Sequence, residues 1–339
     1  MYIKLLHVKE FELINKLFKP LVKKNDFAQD LADDVALIDI KNDEKLVVSK
    51  DLICEDVHFF RKDGGFKVAS KLLLSNLSDI AATGALPKYY LLGLSKNKDF
   101  NNDFLQDFAQ GLNHTQEKYN VSLIGGDTIS TRSKNDRLIF SLTIFGITKN
   151  NQILSRQNAK DGDLIFMSGS VGDSYLGFKI SNNENYVAKF NFDKKEEYYL
   201  KNRFFFPEPR IELTKTLLEK NLANGAIDIS DGLLADLKQM CNSSRLSAKI
   251  YLDKIPTFFS KKNNLSMQED LVNKGEDYEI IFSSPPKNFN KIMNLQKKLN
   301  IAISQIGCFN FNNNITNIDI YSDSITKKIV NFKKFGYEH

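Results

Sequence analysis

Hydrophobic positions along the chain alternate between two periods. From Phe66 to Ala82, apolar residues stand at 66, 69, 72, 73, 77 and 80, the spacing of one helix face, and Gly84 is placed to stop that helix. A second amphipathic stretch runs from Asp103 to Tyr119. Between and around them lie short apolar runs that predict strands: Leu46–Ser49, Tyr89–Leu94, Val121–Ile124 and Leu138–Ile147. A polar stretch from Thr148 to the Asp161-Gly162-Asp163 turn then marks a domain boundary. Beyond it the pattern predicts strands at Leu164–Met167, Ala226–Ile229, Tyr278–Phe282, Ile301–Ile306 and Ile318–Tyr321, and a helix over Asp231–Met240. A polar insertion spans about Ser181 to Lys201, and Pro207-Glu208-Pro209 leads into a further helix. The expected architecture is two-domain, an α/β domain over 1–148 followed by an α+β domain over 149–339.

Composition narrows the class. The chain has 339 residues, 42% of them apolar and 26% charged, with a net charge of +5. That is enough chain for two cores, and it excludes disorder and a disulfide scaffold. The cations are scattered, which argues against a nucleic-acid partner. The apolar run Leu138–Ile147 is too short to span a bilayer. Three cysteines far apart and four histidines assemble no zinc cluster. Met1–Glu10 carries no signal-peptide pattern, so the expected compartment is the cytoplasm.

The chemistry lies in the aspartates. They recur at strand ends and turns beside small residues: Asp33-Asp34, Ser49-Lys50-Asp51, Ser78-Asp79, Gly125-Gly126-Asp127-Thr128 and Asp228-Ile229-Ser230-Asp231-Gly232. A carboxylate there gains little from packing, whereas several converging on a hard cation would hold magnesium and, through it, phosphates. Each cluster alone has an ordinary reading. Asp33-Asp34 suits a turn, and Asp231 suits the cap or first turn of the following helix. Gly125-Gly126-Asp127, read as following its strand, offers amides to an anion. Gly169-Ser170-Val171-Gly172-Asp173 is either a phosphate cradle or a plain strand-to-helix turn. Neither G-x-x-x-x-G-K-[ST] nor G-x-G-x-x-G occurs, and no Ser-His-Asp or Cys-His arrangement suggests a protein nucleophile.

Taken in order, these motifs resemble the thiamine-monophosphate kinase family of the aminoimidazole-ribonucleotide synthetase-like superfamily. The resemblance rests on Ala32-Asp33-Asp34-Val35-Ala36-Leu37, Ser49-Lys50-Asp51, Val57-His58-Phe59, Asn76-Leu77-Ser78-Asp79-Ile80-Ala81-Ala82 and Ile124-Gly125-Gly126-Asp127-Thr128. It continues through Leu154-Ser155-Arg156, Pro207-Glu208-Pro209-Arg210, Ala226-Ile227-Asp228-Ile229-Ser230-Asp231-Gly232-Leu233 and Gly275-Glu276-Asp277-Tyr278-Glu279. It implies ATP-dependent phosphorylation of thiamine monophosphate to the diphosphate by direct γ-phosphoryl transfer. It further implies Asp34, Asp51, Asp79, Asp127, Asp228 and Asp231 as magnesium ligands, with Ser49 and Lys50 in a further metal-contact segment. Gly126, Arg156 and Ser230 would contact ATP, and His58, Glu276 and Tyr337 would contact thiamine monophosphate. A homodimer through the N-terminal domains is implied as well. Direct transfer asks for alignment and charge neutralisation rather than a nucleophile, which agrees with the aspartates.

The chain departs from the family pattern at Ala32, Lys50, Asp56, Lys274 and Glu338, where Gly, Thr, Gly, Gly and Asp are usual. The departure at Lys50 raises the question of where its ammonium points. In an extended strand it would face away from Ser49 and Asp51. Two rival readings follow from the same residues. One is another ATP-using superfamily member of the hydrogenase-maturation or selenophosphate type, which commonly uses an N-terminal Cys or Lys segment. The other is a non-catalytic nucleotide-binding dimer, suggested by Lys50 and Lys274.

Overall fold

The structure is a computed structural model that describes residues 14–22, 38, 40–97, 102–133, 135–149, 152–182, 190–259, 271–312, 316–326, 328–330, 332 and 336. It divides into two compact units, Met1–Ile80 with Leu86–Asn151, and Ala81–Ala85 with Gln152–His339.

In the first unit four strands form one sheet in the order β1-β4-β2-β3: β1 Glu44–Cys54, β2 Leu86–Asn97, β3 Ser122–Thr131 and β4 Ile139–Lys149. β4 is antiparallel to both β1 and β2, while β2 and β3 are parallel and are joined through helix α2 (Asn102–Tyr119). A parallel pair requires such a crossover. The strands alternate: Phe140, Leu142 and Ile144 of β4 and Tyr90, Leu92 and Leu94 of β2 are buried. Helix α1 (Gly65–Thr83) buries Val68, Leu72, Leu73, Leu77 and Ile80, and α2 buries Leu105, Phe108 and Leu112. The Phe108 and Phe140 rings stack at 4.1 Å, joining helix to sheet. α1 and α2 approach so closely that a Cβ on Gly111 would meet the Phe66 carbonyl oxygen at 2.3 Å. Only glycine fits that crossing.

The other sheet face is half open. Val48 and Leu52 of β1, Ile139 of β4 and Ile129 of β3 are all exposed. By pairing register they share a face with Lys50, Ser141 and Thr143.

The second unit is built on six strands in the order β10-β7-β9-β5-β8-β6. They are β5 Leu164–Ser168, β6 Gly225–Asp228, β7 Ser247–Tyr251, β8 Ile280–Ser284, β9 Ile303–Asn310 and β10 Ile318–Tyr321. Only β10 and β7 pair in parallel. The central strands are apolar on both sides because both sides are covered. Phe166, Ile280 and Phe282 pack with α5 (Ile211–Glu219) and α7 (Phe289–Leu299). Ile165, Met167 and Ile281 pack with α6 (Leu233–Ser244). Helices α3 (Asp173–Ser181) and α4 (Lys194–Phe205) form a separate pair that buries Leu176, Ile180 and Leu200 with Phe259 and Leu271.

Three expectations change. Gly125-Gly126-Asp127 lies inside β3, not after it, because pairing with Leu91, Leu92 and Gly93 of β2 carries the strand on. Helix α6 begins at Leu233 rather than Asp231. The last part of the polar insertion is helical, opened by a capping box in which Asp193 accepts from the Lys195 and Glu196 amides and Glu196 accepts from the Asp193 amide.

Candidate functional site

In the first unit, β1 and α1 bring four polar side chains together. Ser49 and Asp51 are two residues apart on a strand and share a face, while Ser75 and Asp79 are four apart on a helix and share another. The two faces meet. The Ser49 hydroxyl donates to Asp79 Oδ2 at 2.6 Å, and Asp51 is hydrogen-bonded by Ser75. Burial raises the Asp51 carboxyl above its ordinary range, and the Ser75 bond offsets part of that.

Lys50 goes the other way. Its ammonium donates to Ser141 Oγ at 2.5 Å and to Thr143 Oγ1 at 3.4 Å on β4, across the sheet from Asp51.

Gly126 and Asp127 stand on β3 opposite Leu92 and Gly93. The pairing skips Ile124, a bulge that re-aims the residues after it. Asp127 is exposed, with Oδ1 accepting from the Thr128 amide at 2.8 Å. A Cβ on Gly126 would meet the Leu92 carbonyl oxygen at 2.1 Å, so this glycine is also required by strand packing.

His58 sits in the turn after β1, half-buried, with Nδ1 accepting from the Cys54 amide at 3.2 Å. Asp56 in the same turn has φ 63°, a left-handed conformation that explains the family's glycine there and that aspartate tolerates.

In the second unit two backbone segments are joined side by side. The Glu276 amide donates to the Ser230 carbonyl at 2.7 Å, the Tyr278 amide to Ile229 at 2.8 Å, and the Ile229 amide to Glu279 at 2.8 Å. Gly275 fits against the Ser230 carbonyl, where a Cβ would lie at 2.3 Å. Asp228, Ser230, Asp231 and Glu276 are thereby brought together. Asp228 ends β6 and is buried, while Asp231 is exposed. Gly336, which precedes Tyr337, donates its amide to Asn273 Oδ1 at 2.6 Å on the approach to the same loop. Lys274 rests its ammonium over the Tyr175 ring at 4.9 Å. Arg156 is an exposed turn residue whose carbonyl accepts from the Ser244 hydroxyl at 2.8 Å. Asp34 and Tyr337 lie outside the described residues.

Asp231 does not cap its helix. The Ser230, Asp231 and Gly232 amides all donate to Asp236 Oδ2, at 3.0, 3.1 and 3.1 Å. Burial and the nearby Asp231 push the Asp236 carboxyl up to about 7. The Asp231 carboxylate itself enters no hydrogen bond or ion pair among the described residues.

Beneath Glu276 lies a buried ionic cluster that the sequence reading did not single out. The fully buried Asp277 accepts from the Gly172 amide at 2.6 Å and the Ser174 amide at 3.1 Å, filling the α3 N-terminus with the chain's own carboxylate. Gly169–Asp173 is therefore the plain strand-to-helix turn and not a phosphate cradle. Glu279 accepts from Arg203 at 2.8 Å, from Arg210 at 2.6 and 2.7 Å, and from the Ser168 hydroxyl at 2.6 Å. Burial would raise the Glu279 carboxyl, but the two guanidinium groups outweigh it and hold the carboxyl below its usual range. Asp277 and Asp173 are raised by burial and, for Asp277, by the Asp173 charge. The signal for Arg210 and Glu279 was present in Pro207–Arg210 and Gly275–Glu279, where only Glu276 was given a role.

The donor set of Asp and Ser oxygens suits a hard divalent cation rather than a soft one. Among the described residues, no three His, Cys, Asp or Glu side chains converge closely enough to hold a metal alone. Magnesium characteristically takes one or two carboxylates, several waters and substrate phosphates, so pairs of carboxylates fit it.

The pattern of the AIR synthase related protein N-terminal domain matches residues 32–148, and that of the C-terminal domain matches 160–310. Thiamine-monophosphate kinase of Buchnera aphidicola subsp. Acyrthosiphon pisum (strain APS) is 35% identical over 338 residues, 97% of this chain and 98% of its own. The enzyme of that name from Escherichia coli K12 is 34% identical over 302 residues, 88% and 87%. The chain belongs to the thiamine-monophosphate kinase family of AIR synthase related proteins. Solved structures agree with that membership. Thiamine-monophosphate kinase from Stenotrophomonas maltophilia superposes with TM-score 0.75 at 28% identity, over 85% of this chain and 90% of that one. The AaThiL complex with AMPPCP and TMP gives 0.72 at 26% identity, over 100% and 99%. Hydrogenase maturation protein HypE shares the fold at 18% identity, with TM-score 0.76. As a family member the chain is a kinase with two AIR-synthase-type domains. No helix among the described residues is long and apolar enough to cross a membrane.

Proposed function

We propose that this kinase transfers the γ-phosphoryl group of ATP directly to thiamine monophosphate, forming thiamine diphosphate, with magnesium. The observation that carries this reading is the Glu276–Ser230 backbone bond. It joins Glu276, assigned to the acceptor, to Ser230, assigned to the nucleotide, next to Asp231, whose carboxylate is exposed. The names of the relatives, and the AMPPCP and TMP bound in the AaThiL complex, support the two substrates.

Asp51, Asp79 and Asp127 of the first unit and Asp228 and Asp231 of the second, with Asp34, are assigned to magnesium. Ser49 holds Asp79, and Lys50 belongs to the segment through its main chain. When bound, magnesium neutralises and aligns the phosphates of donor and acceptor. The chain's residues do the rest. Gly126, Arg156 and Ser230 bind ATP, while His58, Glu276 and Tyr337 orient thiamine monophosphate. No side chain forms a covalent intermediate.

The apolar face of the four-stranded sheet, with Val48, Leu52, Ile129 and Ile139 exposed, supports a homodimer through the N-terminal domains. The unpaired thiols Cys54, Cys241 and Cys308 support a cytoplasmic location.

Mass-spectrometric detection of thiamine diphosphate from the monophosphate, ATP and magnesium tests the function. Nucleotide binding without product would leave the chain a non-catalytic member of its family. Glu276→Ala and His58→Ala should each raise the KM for thiamine monophosphate more than that for ATP. Equal losses for both substrates in steady-state kinetics would reduce these residues to shaping the site. Lys50→Thr should leave the magnesium dependence of the rate nearly unchanged, because the ammonium is held by Ser141 and Thr143 on the sheet face opposite Ser49 and Asp51; of the first unit's described residues assigned to magnesium, Asp127 alone shares the face of Lys50 by register. A clearly lower magnesium requirement in that variant would mean the ammonium competes with a cation.

A further inference from the structure

We propose that Asp236 is a positioning residue that keeps Asp231 available to ligands by gathering the amides of the turn that carries it; the inference rests on the assignment of Ser230 and Asp231 to the nucleotide and metal side. A helix start leaves several amides without intrahelical partners, and the residue just before the helix ordinarily supplies the acceptor. Here that residue is Gly232, which has no side chain to offer, with φ 125°. The carboxylate next in line is Asp231. A cap made by Asp231 would draw its carboxylate back onto the backbone, and the group would be lost to any ligand.

The turn is held from the helix side instead, through the amides of residues 230–232. Asp236, in the first turn of α6, is 4% exposed and reaches back so that one oxygen, Oδ2, accepts from the Ser230, Asp231 and Gly232 amides together. Three consecutive amides gathered on one anion form a fixed nest. In the same turn the Asp236 amide donates to the Gly232 carbonyl at 3.0 Å, so side chain and backbone hold it from both ends. The Ser230 carbonyl is left for the Glu276 amide, and the Asp231 carboxylate stays exposed. Asp236 is not a catalytic residue. It acts through the turn.

Two substitutions separate geometry from charge. Asp236→Asn keeps an acceptor oxygen at the same reach and removes the charge, whereas Asp236→Glu keeps the charge and displaces the acceptor by one methylene. Calorimetry of magnesium-ATP binding should give near-wild-type affinity for Asp236→Asn and a loss of about 10- to 100-fold for Asp236→Glu, the range seen when the partners that orient metal ligands are removed. Hydrogen exchange of the amides at 230–232 should stay slow in the first variant and quicken in the second. A merely structural role would lower the Tm of both without changing affinity in the folded protein. Wild-type affinity and exchange in Asp236→Glu, or an Asn variant as impaired as the Glu variant, would overturn the proposal. Neither readout needs turnover. A wild-type protein that makes no thiamine diphosphate would refute the proposed reaction while leaving the exchange test of Asp236 intact.

Discussion

Asp231→Asn should lower turnover by about 100-fold or more while leaving the Tm nearly unchanged. The substitution keeps the size of an exposed side chain that makes no hydrogen bond or ion pair among the described residues, so folding has little to lose. Catalysis has much to lose, because magnesium supplies several kcal/mol to a phosphoryl-transfer transition state and each ~1.4 kcal/mol is tenfold in rate. The decisive measurement is kcat/KM for both substrates across a magnesium titration, with a melting curve on the same preparation. Turnover like that of the wild type at ordinary magnesium would remove Asp231 from the metal set. A fall in Tm of many degrees would mean instead that the side chain serves the fold.

Glu279→Ala should destabilise the second unit by about 3–5 kcal/mol, the usual cost of removing one partner from a buried ion pair. Glu279 is 1% exposed and receives both Arg203 and Arg210, so its loss strands two guanidinium groups in the interior. The Ser168 hydroxyl, which donates to Glu279 and accepts from the Ile280 amide, would lose one of its two roles. Urea denaturation followed by tryptophan-independent far-ultraviolet dichroism suits a chain without tryptophan. A loss below about 1 kcal/mol would show that both arginines recover water or new partners, as exposed pairs do.

How much of this was legible in the sequence depended on whether the signal was local. Helix α1 and the Leu138–Ile147 strand were readable because their apolar periods are strict and their neighbours do not contradict them. The extension of β3 through Gly125-Gly126-Asp127 was not, since glycine and aspartate are poor strand formers and only pairing with β2 overrides that preference. Helix α4 was missed although Asp193 and Glu196 spell a capping box, because the polar residues after it hide any apolar stripe. Helix α7 was missed as well, despite burying Ile292 and Leu295 at a three-residue spacing. Of the candidate site, the motifs singled out Asp51, Asp79, Asp231 and Glu276 as residues to examine. They did not reveal that Asp236 takes the amides around Asp231, a relation that exists only once the turn closes on the helix. The buried charges were equally invisible, because nothing in a linear pattern places Arg203 against Glu279, 76 residues away.

The loop that carries Glu276 has one more consequence. Glu276 and Tyr278 adopt φ 67° and 52°, the left-handed region that costs an ordinary residue roughly 1–2 kcal/mol each. Asp277 between them and Glu279 beside them hold the kinked path in place from below. A search for thermostabilised variants would therefore find glycine or asparagine at 276 and 278 among its first hits. On the role proposed for Glu276, the gain in melting temperature at 276 would come directly out of substrate recognition. On that assignment heat resistance and catalytic efficiency are traded against each other at 276, and a library selected for the first alone should lose the second there.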